Sequence, residues 1–228
     1  MRSDKPFLLI TNNASYSPQS VKARLAEAGA DIPIGSVLTS AMVALSWIKA
    51  NGLEGASSFV LGPPAVTDQF RSVLNLLPIE RGQKAELVFV ARDPTFDYEV
   101  LATAADSVRD GAHFIAANRD SMLPVEGGYE PGTGALLAAV EVASGRNAIV
   151  MGKPEPLMMQ AALAQLGRDD VLMIGDRLES DIRGAASIGW DSALVHDSAG
   201  EIASQDLSPD HVAASLGELL HPLGQKAQ

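Results

Sequence analysis

Residues 171–181 read Val-Leu-Met-Ile-Gly-Asp-Arg-Leu-Glu-Ser-Asp, and the fold prediction starts from this stretch. Four consecutive apolar residues are typical of a strand buried on both faces of a parallel sheet. The strand ends at Gly175, and two acids, Asp176 and Asp181, flank the turn into the next helix. Open α/β sheets bind ligands at the carboxyl ends of their strands. The paired acids therefore favour a Mg²⁺ site, although acids near a helix N-terminus also serve simply as caps.

The same alternation of a short apolar run and an amphipathic helical pattern continues along most of the chain. Repeated β-α units of this kind predict an α/β protein with a doubly wound, Rossmann-like sheet. The predicted strands are Phe7–Ile10, Ser58–Leu61, Glu86–Val90, His113–Ala116, Ala148–Met151, Val171–Ile174 and Ser192–Val195. The predicted helices are Ser17–Gly29, Ser40–Asn51, Pro64–Leu77, Phe96–Asp110, Thr133–Ser144, Pro156–Leu166, Ser180–Ile188 and His211–Leu220.

Two further polar clusters directly follow predicted strands. The first is the stretch Thr11-Asn12-Asn13-Ala14-Ser15, in which a hydroxyl and a run of amides can hold phosphoryl oxygens. Taken alone, it is more typical of an Asx-rich turn before a helix. The second is Gly152-Lys153-Pro154, where the lysine can neutralise a phosphoryl group and a neighbouring carboxylate. An isolated lysine there fits a solvated β-α turn equally well.

Composition and charge exclude several classes of function. The 228 residues suffice for one large α/β domain or for a core with a smaller inserted domain. A net charge of −11 disfavours nucleic acid and anionic membranes as partners. The absence of cysteine excludes disulfides, thiolate catalysis and cysteine-based zinc sites. No apolar run approaches the roughly 18 residues of a membrane span, and no signal peptide is recognisable, so we expect a cytoplasmic protein.

Together, the three clusters indicate a protein family far more specifically than any one of them does. Their order along the chain resembles the haloacid dehalogenase (HAD) superfamily of phosphatases. The most similar branch is the NagD-like or 4-nitrophenylphosphatase-like group, which carries a large α/β cap between its second and third motifs. Three further stretches also resemble that cap: 93–101, 114–120 and 126–135. The resemblance implies a HAD core at 1–56 and 146–228 and an inserted α/β cap domain at 57–145.

The resemblance also implies a site and a cofactor. Thr11 would donate a hydrogen bond to the phosphoryl group of a small phosphorylated metabolite, and Asn12 and Asn13 would help to bind it. Lys153 would stabilise negative charge on the phosphate and on the nucleophile. Asp176 would be a direct Mg²⁺ ligand, and Asp181 an outer-shell partner of the metal. A homodimer formed through the cap is a further expectation by family analogy.

One family motif is missing from this sequence. The family carries Asp-x-Asp-Gly at the end of a first central strand, and the first aspartate of that motif is the nucleophile. Only ten residues precede Thr11 here, whereas a βαβ unit takes about 30. Asp4 cannot replace the nucleophile, because it precedes the second strand instead of ending the first. We therefore expect a core that lacks its first central strand, either because the chain is incomplete, which we favour, or because it is a pseudoenzyme.

Three other classes of protein are alternatives to the phosphatase. Gly132-x-Gly134 is the nearest pattern to a dinucleotide-binding fingerprint, but it lacks the third glycine and the downstream acid. A serine hydrolase is disfavoured because no Gly-x-Ser-x-Gly motif exists. The serious alternative is a catalytically inactive HAD-like protein that binds phosphate or Mg²⁺ without turnover, or acts as a scaffold.

Overall fold

A computed structural model describes residues 5–195 and 207–219 of the chain. Its contacts divide the chain into two compact units, Met1–Gly152 and Lys153–Gln228. Strands and helices alternate through both units, and every sheet except one hairpin is parallel. This arrangement confirms the predicted α/β fold class.

The largest sheet of the first unit has five parallel strands in the order β4-β3-β5-β6-β9. The side chains of its central strand β5 are fully buried, because that strand is a continuous apolar run with neighbours on both edges. The rings of Phe70 and Phe89 pack 4.7 Å apart between a helix and this strand. The five strands are β3 (Ser57–Leu61), β4 (Asn75–Leu76), β5 (Leu87–Val90), β6 (His113–Ala116) and β9 (Ile149–Val150).

Three helices accompany this sheet: α3 (Pro64–Phe70), α4 (Tyr98–Arg109) and α5 (Thr133–Ser144). Helix α4 begins where the Asp97 side chain accepts a hydrogen bond from the Val100 amide at 2.9 Å. Helix α5 ends at Gly145, whose φ of 71° is the left-handed conformation that closes many helices. These local signals place both helices where the sequence predicts them.

The first unit also contains a small parallel pair of strands, β1 (Leu9–Thr11) and β2 (Val37–Thr39). Helices α1 (Pro18–Glu27) and α2 (Ser40–Ala50) follow these strands. Strand β2 is buried, and the Thr39 side chain caps α2 by accepting from the Met42 amide. The strand predicted at Phe7–Ile10 is present in part, as Leu9–Thr11, and it is not buried on both faces, because Phe7 and Leu9 are 49% and 37% exposed.

An antiparallel hairpin projects from the first unit between β6 and α5. Its strands are β7 (Met122–Val125) and β8 (Gly128–Pro131). Gly127, with a φ of 85°, forms the tight turn between them. All four residues of β8 are exposed, so the hairpin contributes little to the hydrophobic core.

The second unit is built on three parallel strands in the order β10-β11-β12. The strands are β10 (Leu172–Gly175), β11 (Asp191–Val195) and β12 (His211–Ala213). Helix α6 (Pro156–Leu166) precedes β10. A π-helical turn, Leu178–Ile182, and then α7 (Arg183–Ser187) connect β10 to β11.

Two predicted helices are wrong in part. The helix predicted at His211–Leu220 begins instead as strand β12, which pairs with β11, and Leu220 lies outside the described residues. The helix predicted at Pro64–Leu77 ends at Phe70, and Asn75–Leu76 forms an edge strand beside β3. Both segments are apolar enough to suit either structure, and pairing with a neighbouring strand decides between them.

The division into a core at 1–56 and 146–228 and a cap at 57–145 stays a prediction. Strand β9 lies beyond the predicted end of the cap, yet it pairs with β6 in the five-stranded sheet. Residues 196–206 and 220–228 of the predicted core lie outside the described residues.

Candidate functional site

The loop that follows β1 is ordered by its own side chains. The Thr11 hydroxyl oxygen accepts a hydrogen bond from the Asn13 amide at 3.1 Å. The Asn13 side-chain oxygen accepts in turn from the Ser15 amide at 2.9 Å. These are the contacts of an Asx-rich turn, and they hold the residue run Thr11–Asn13 at the carboxyl end of a parallel strand.

Asn12 joins this loop to two distant segments of the first unit. Its backbone oxygen accepts hydrogen bonds from Ser40 Oγ at 2.9 Å and from Asn118 Nδ2 at 2.8 Å. Its side-chain nitrogen donates to the carboxylate of Asp120, with N–O distances of 3.3 and 3.4 Å. Asn12, Ser40 and Asn118 are all buried, so these contacts are shielded from water.

Glycines allow the segment after β6 to pack closely against its neighbours. A Cβ at Gly132 would lie 2.1 Å from the Asp120 carbonyl oxygen, and one at Gly134 would lie 2.3 Å from that of Arg119. The Gly134 amide donates to the Asp120 oxygen at 2.8 Å. The Gly132-x-Gly134 pattern is therefore explained by close backbone packing, which removes the main support for a dinucleotide site.

Glu141 on helix α5 also holds the segment after β6. Its carboxylate accepts two hydrogen bonds from the Arg119 guanidinium and one from the Ala148 amide. The Arg119 guanidinium, followed by the Ala148 amide, holds the pKa of the Glu141 carboxyl below its ordinary value against the opposing effect of burial. The carboxylate thus connects α5 to the segments on either side of it.

In the second unit, Lys153 and Asp181 form a buried ion pair. The Lys153 Nζ lies 2.5 Å from Asp181 Oδ1, and the two side chains are 12% and 4% exposed. The other Asp181 carboxylate oxygen accepts from the Arg177 amide at 3.1 Å. A buried ion pair contributes little net stability compared with apolar packing, so its presence at a strand end favours a functional role.

Asp176 lies at the carboxyl end of β10 and is exposed. A carboxylate at such a strand end suits Mg²⁺, which binds few protein carboxylates and retains several waters. Within residues 5–195 and 207–219, no group of three or more His, Asp or Glu side chains converges. Asp176 offers an exposed carboxylate, whereas Asp181 is held by Lys153 and the Arg177 amide. One carboxylate completed by waters is a donor set that suits Mg²⁺.

The structure distributes the predicted site residues between the two units. Thr11, Asn12 and Asn13 share one loop of the first unit, and Asn12 meets Asp120 there. Lys153 meets Asp181 in the second unit. Ser40 is a residue of this neighbourhood that the sequence did not single out, and its only signal was a polar side chain opening a helix directly after a strand.

Comparison with known proteins supplies the family. The family described as haloacid dehalogenase-like hydrolase matches residues 1–73, and the family described as HAD-hydrolase-like matches residues 150–219. The acid sugar phosphatase of Staphylococcus aureus (strain MRSA252) is 34% identical over 223 residues, which are 96% of this chain and 85% of that protein. The chain belongs to the haloacid dehalogenase-like hydrolases.

Two other similar proteins support this assignment to the HAD-like hydrolases. The dihydroxyacetone phosphatase of Corynebacterium glutamicum (strain R) is 31% identical over 93% of this chain and 78% of that protein. The crystal structure of a glycerol phosphate phosphatase from Mycobacterium tuberculosis, in complex with magnesium, superposes with a TM-score of 0.81. The two sequences are 32% identical, and the aligned region covers 93% of this chain and 66% of the Mycobacterium tuberculosis chain. The predicted similarity to NagD-like phosphatases is confirmed.

In residues 5–195 and 207–219 of this HAD-like hydrolase, each helix is too short or too polar to cross a lipid bilayer.

Proposed function

We propose that this protein is a Mg²⁺-dependent phosphatase acting on a small phosphate monoester, of the size of a sugar phosphate or triose phosphate. The observation that carries the proposal is the buried pair of Lys153 and Asp181, together with the exposed Asp176 at the carboxyl end of β10. The names of the similar proteins, which include acid sugar, dihydroxyacetone and glycerol phosphate phosphatases, support the substrate class.

In this proposal each residue has a role of its own. The Lys153 ammonium neutralises charge on a phosphoryl group, and Asp181 holds that ammonium at the strand end. Thr11 donates its hydroxyl hydrogen to a phosphoryl oxygen, while its oxygen accepts from the Asn13 amide. Asp176 would be the direct ligand of Mg²⁺, which supplies neutralisation of the phosphoryl charge when it is bound.

The nucleophile is not assigned to any residue of this chain. The 228 residues contain no two aspartates separated by a single residue, so the Asp-x-Asp-Gly motif of the family is absent from them. This observation favours a second candidate function, in which these residues bind phosphate and Mg²⁺ without turning over a substrate.

The experiment that tests both candidates is hydrolysis of 4-nitrophenyl phosphate by the purified chain, with and without Mg²⁺. Asp176→Asn removes the proposed ligand, and Asp169→Asn is the matched control because Asp169 is an exposed acid just before β10. Mg²⁺-dependent turnover that Asp176→Asn abolishes and Asp169→Asn retains would establish the phosphatase and show that the chain hydrolyses the ester without an Asp-x-Asp-Gly nucleophile.

Other outcomes separate the two candidates. Without turnover, binding of inorganic phosphate is measured by calorimetry in the presence and absence of Mg²⁺. Mg²⁺-dependent binding that Asp176→Asn weakens would support binding without turnover. If neither turnover nor binding responds to Asp176→Asn, both candidates are wrong for this chain.

A further inference from the structure

The peptide unit between Asn12 and Asn13 receives hydrogen bonds on both of its sides. Its carbonyl oxygen accepts from Ser40 Oγ at 2.9 Å and from Asn118 Nδ2 at 2.8 Å. Its N–H donates to Thr11 Oγ1 at 3.1 Å. A trans peptide unit is planar, and its C=O and N–H point in opposite directions. The two donors behind the carbonyl therefore also hold the N–H in its direction towards Thr11.

The contact with the peptide N–H determines what the Thr11 hydroxyl can do. A threonine hydroxyl has one hydrogen to donate and two lone pairs that accept. One lone pair of Thr11 is occupied by the Asn13 N–H, so the hydroxyl hydrogen has to turn away from that amide. The hydrogen is then available to donate to an acceptor on the other side, such as a phosphoryl oxygen.

The orientation of the Asn118 amide is itself held by the protein. The Asn118 side-chain oxygen accepts from the Asp120 backbone N–H at 3.0 Å, which leaves its NH₂ group facing the Asn12 carbonyl. The Ser40 and Asn118 residues are 0% and 5% exposed. Water cannot readily take over either contact at that burial, so loss of either donor leaves the Asn12 carbonyl less well restrained.

We infer that Ser40 and Asn118 are positioning residues, which set the donor direction of the Thr11 hydroxyl through the Asn12–Asn13 peptide unit. The inference rests on the proposed function in one respect, namely that Thr11 binds the phosphoryl group. Ser40 follows β2, and Asn118 follows β6. The inference gives both residues a part in phosphate binding although neither contacts the phosphate directly.

The test compares two identical substitutions of buried serines in the same unit. Ser40→Ala removes a donor to Asn12. Ser107→Ala is the control, because Ser107 is 1% exposed and its oxygen accepts from the Ala85 amide, at a site with no part in this loop. Asn118→Ala provides an independent second variant. For each variant, the affinity for inorganic phosphate, the exchange rate of the Asn13 amide hydrogen and the melting temperature are measured on the full chain.

We expect Ser40→Ala and Asn118→Ala to weaken phosphate binding by about fivefold to tenfold, the effect of losing about one hydrogen bond. Both variants should also speed exchange of the Asn13 amide. Ser107→Ala should lower the melting temperature to a similar degree while leaving affinity and Asn13 exchange unchanged. Equal affinities for Ser40→Ala and Ser107→Ala would overturn the inference.

A double-mutant cycle with Thr11→Val separates positioning from general destabilisation. If Ser40 acts through the Thr11 hydroxyl, Ser40→Ala should change the phosphate affinity of the Thr11→Val protein by less than about twofold. The same fold loss in both backgrounds would contradict the inference.

The same measurements give a different pattern if the proposed function itself is wrong. If the unsubstituted chain binds no phosphate, the role of Thr11 is wrong, and Asn13 amide exchange alone decides whether Ser40 and Asn118 hold the peptide unit. Faster exchange in those two variants, but not in Ser107→Ala, would then support the conclusion that Ser40 and Asn118 hold the Asn12–Asn13 peptide unit. Unchanged exchange would overturn it.

Discussion

The absence of a side chain at Gly175 allows the geometry of the Lys153–Asp181 pair. A Cβ added there would lie 2.2 Å from the Asp181 Cβ and 2.3 Å from its Cγ. Both distances are far below van der Waals contact, so any larger residue must displace the Asp181 side chain. The glycine thus allows the carboxylate to lie against the end of β10, within reach of the Lys153 ammonium.

We expect Gly175→Ala to lower the free energy of unfolding by about 2 kcal/mol, because a tightly packed site is overfilled. Displacement of Asp181 should also weaken phosphate binding through the loss of its contact with Lys153. Urea denaturation and calorimetry measure the two effects. Gly217→Ala is the control, since its nearest neighbour would be 3.7 Å away, and a Gly175→Ala protein that matches this control in both measurements would contradict the prediction.

The residues of the candidate site could be predicted only in part. Thr11 follows an apolar run directly, and Lys153 and Asp176 each follow one after a single glycine, so the sequence indicates their position at a strand end. The partner of Asn118 is a backbone oxygen 106 positions earlier in the chain, and no local pattern encodes such a contact. The catalytic and binding roles of all these residues stay predictions.

The sequence predicts elements with strong local signals well, but it does not predict several of the short strands. Helices at Thr133–Ser144 and Pro156–Leu166 have the predicted bounds, because each has a glycine at its end and a long apolar face. Strand β2 is only three residues long, and it acquires its structure from pairing with β1. Such a strand carries too few residues to show a period of its own.

Glu141 links helix α5 to Arg119 and to the Ala148 amide, and these contacts depend on pH. The ordinary pKa of the carboxyl is 4.5, and the Arg119 guanidinium and the Ala148 amide lower it in the folded protein. A carboxyl with a lowered pKa contributes stability that is fully present above its unfolded pKa. That contribution is lost as the pH falls from about 4.5 through the folded pKa.

We therefore expect Glu141→Gln to reduce the free energy of unfolding by about 1–2 kcal/mol at pH 7 and by less at pH 3, where a larger fraction of the Glu141 carboxyl is protonated. Chemical denaturation at the two pH values measures the difference. The control is Glu179→Gln, whose exposed pair with Arg183 should contribute at most about 0.5 kcal/mol. A loss for Glu141→Gln that is the same at both pH values would show that the charge is unimportant.

Across the whole molecule, burial is unevenly distributed among the strands. The five-stranded sheet has central strands whose side chains are almost entirely buried. The strands that carry Thr11 and Asp176 differ, because Leu9 on β1 is 37% exposed and Ile174 on β10 is 39% exposed. Among the described residues, β1 pairs with β2 alone and β10 with β11 alone. Each unit therefore presents an edge strand with exposed apolar side chains.

Exposed apolar edge strands are sites of association between chains, so we expect the 228-residue chain to self-associate at micromolar concentration. Ile174→Lys should reduce the association, because a lysine on an edge strand disfavours pairing with another strand. Sedimentation velocity over a concentration series measures the effect. Val142→Lys is the control, because it adds the same charge at a position on helix α5 away from any strand edge. Val142 is 85% exposed. A monomer that unfolds cooperatively at high temperature would contradict the prediction. If the two lysine substitutions reduce association equally, the reduction is due to the added charge and not to the strand edge.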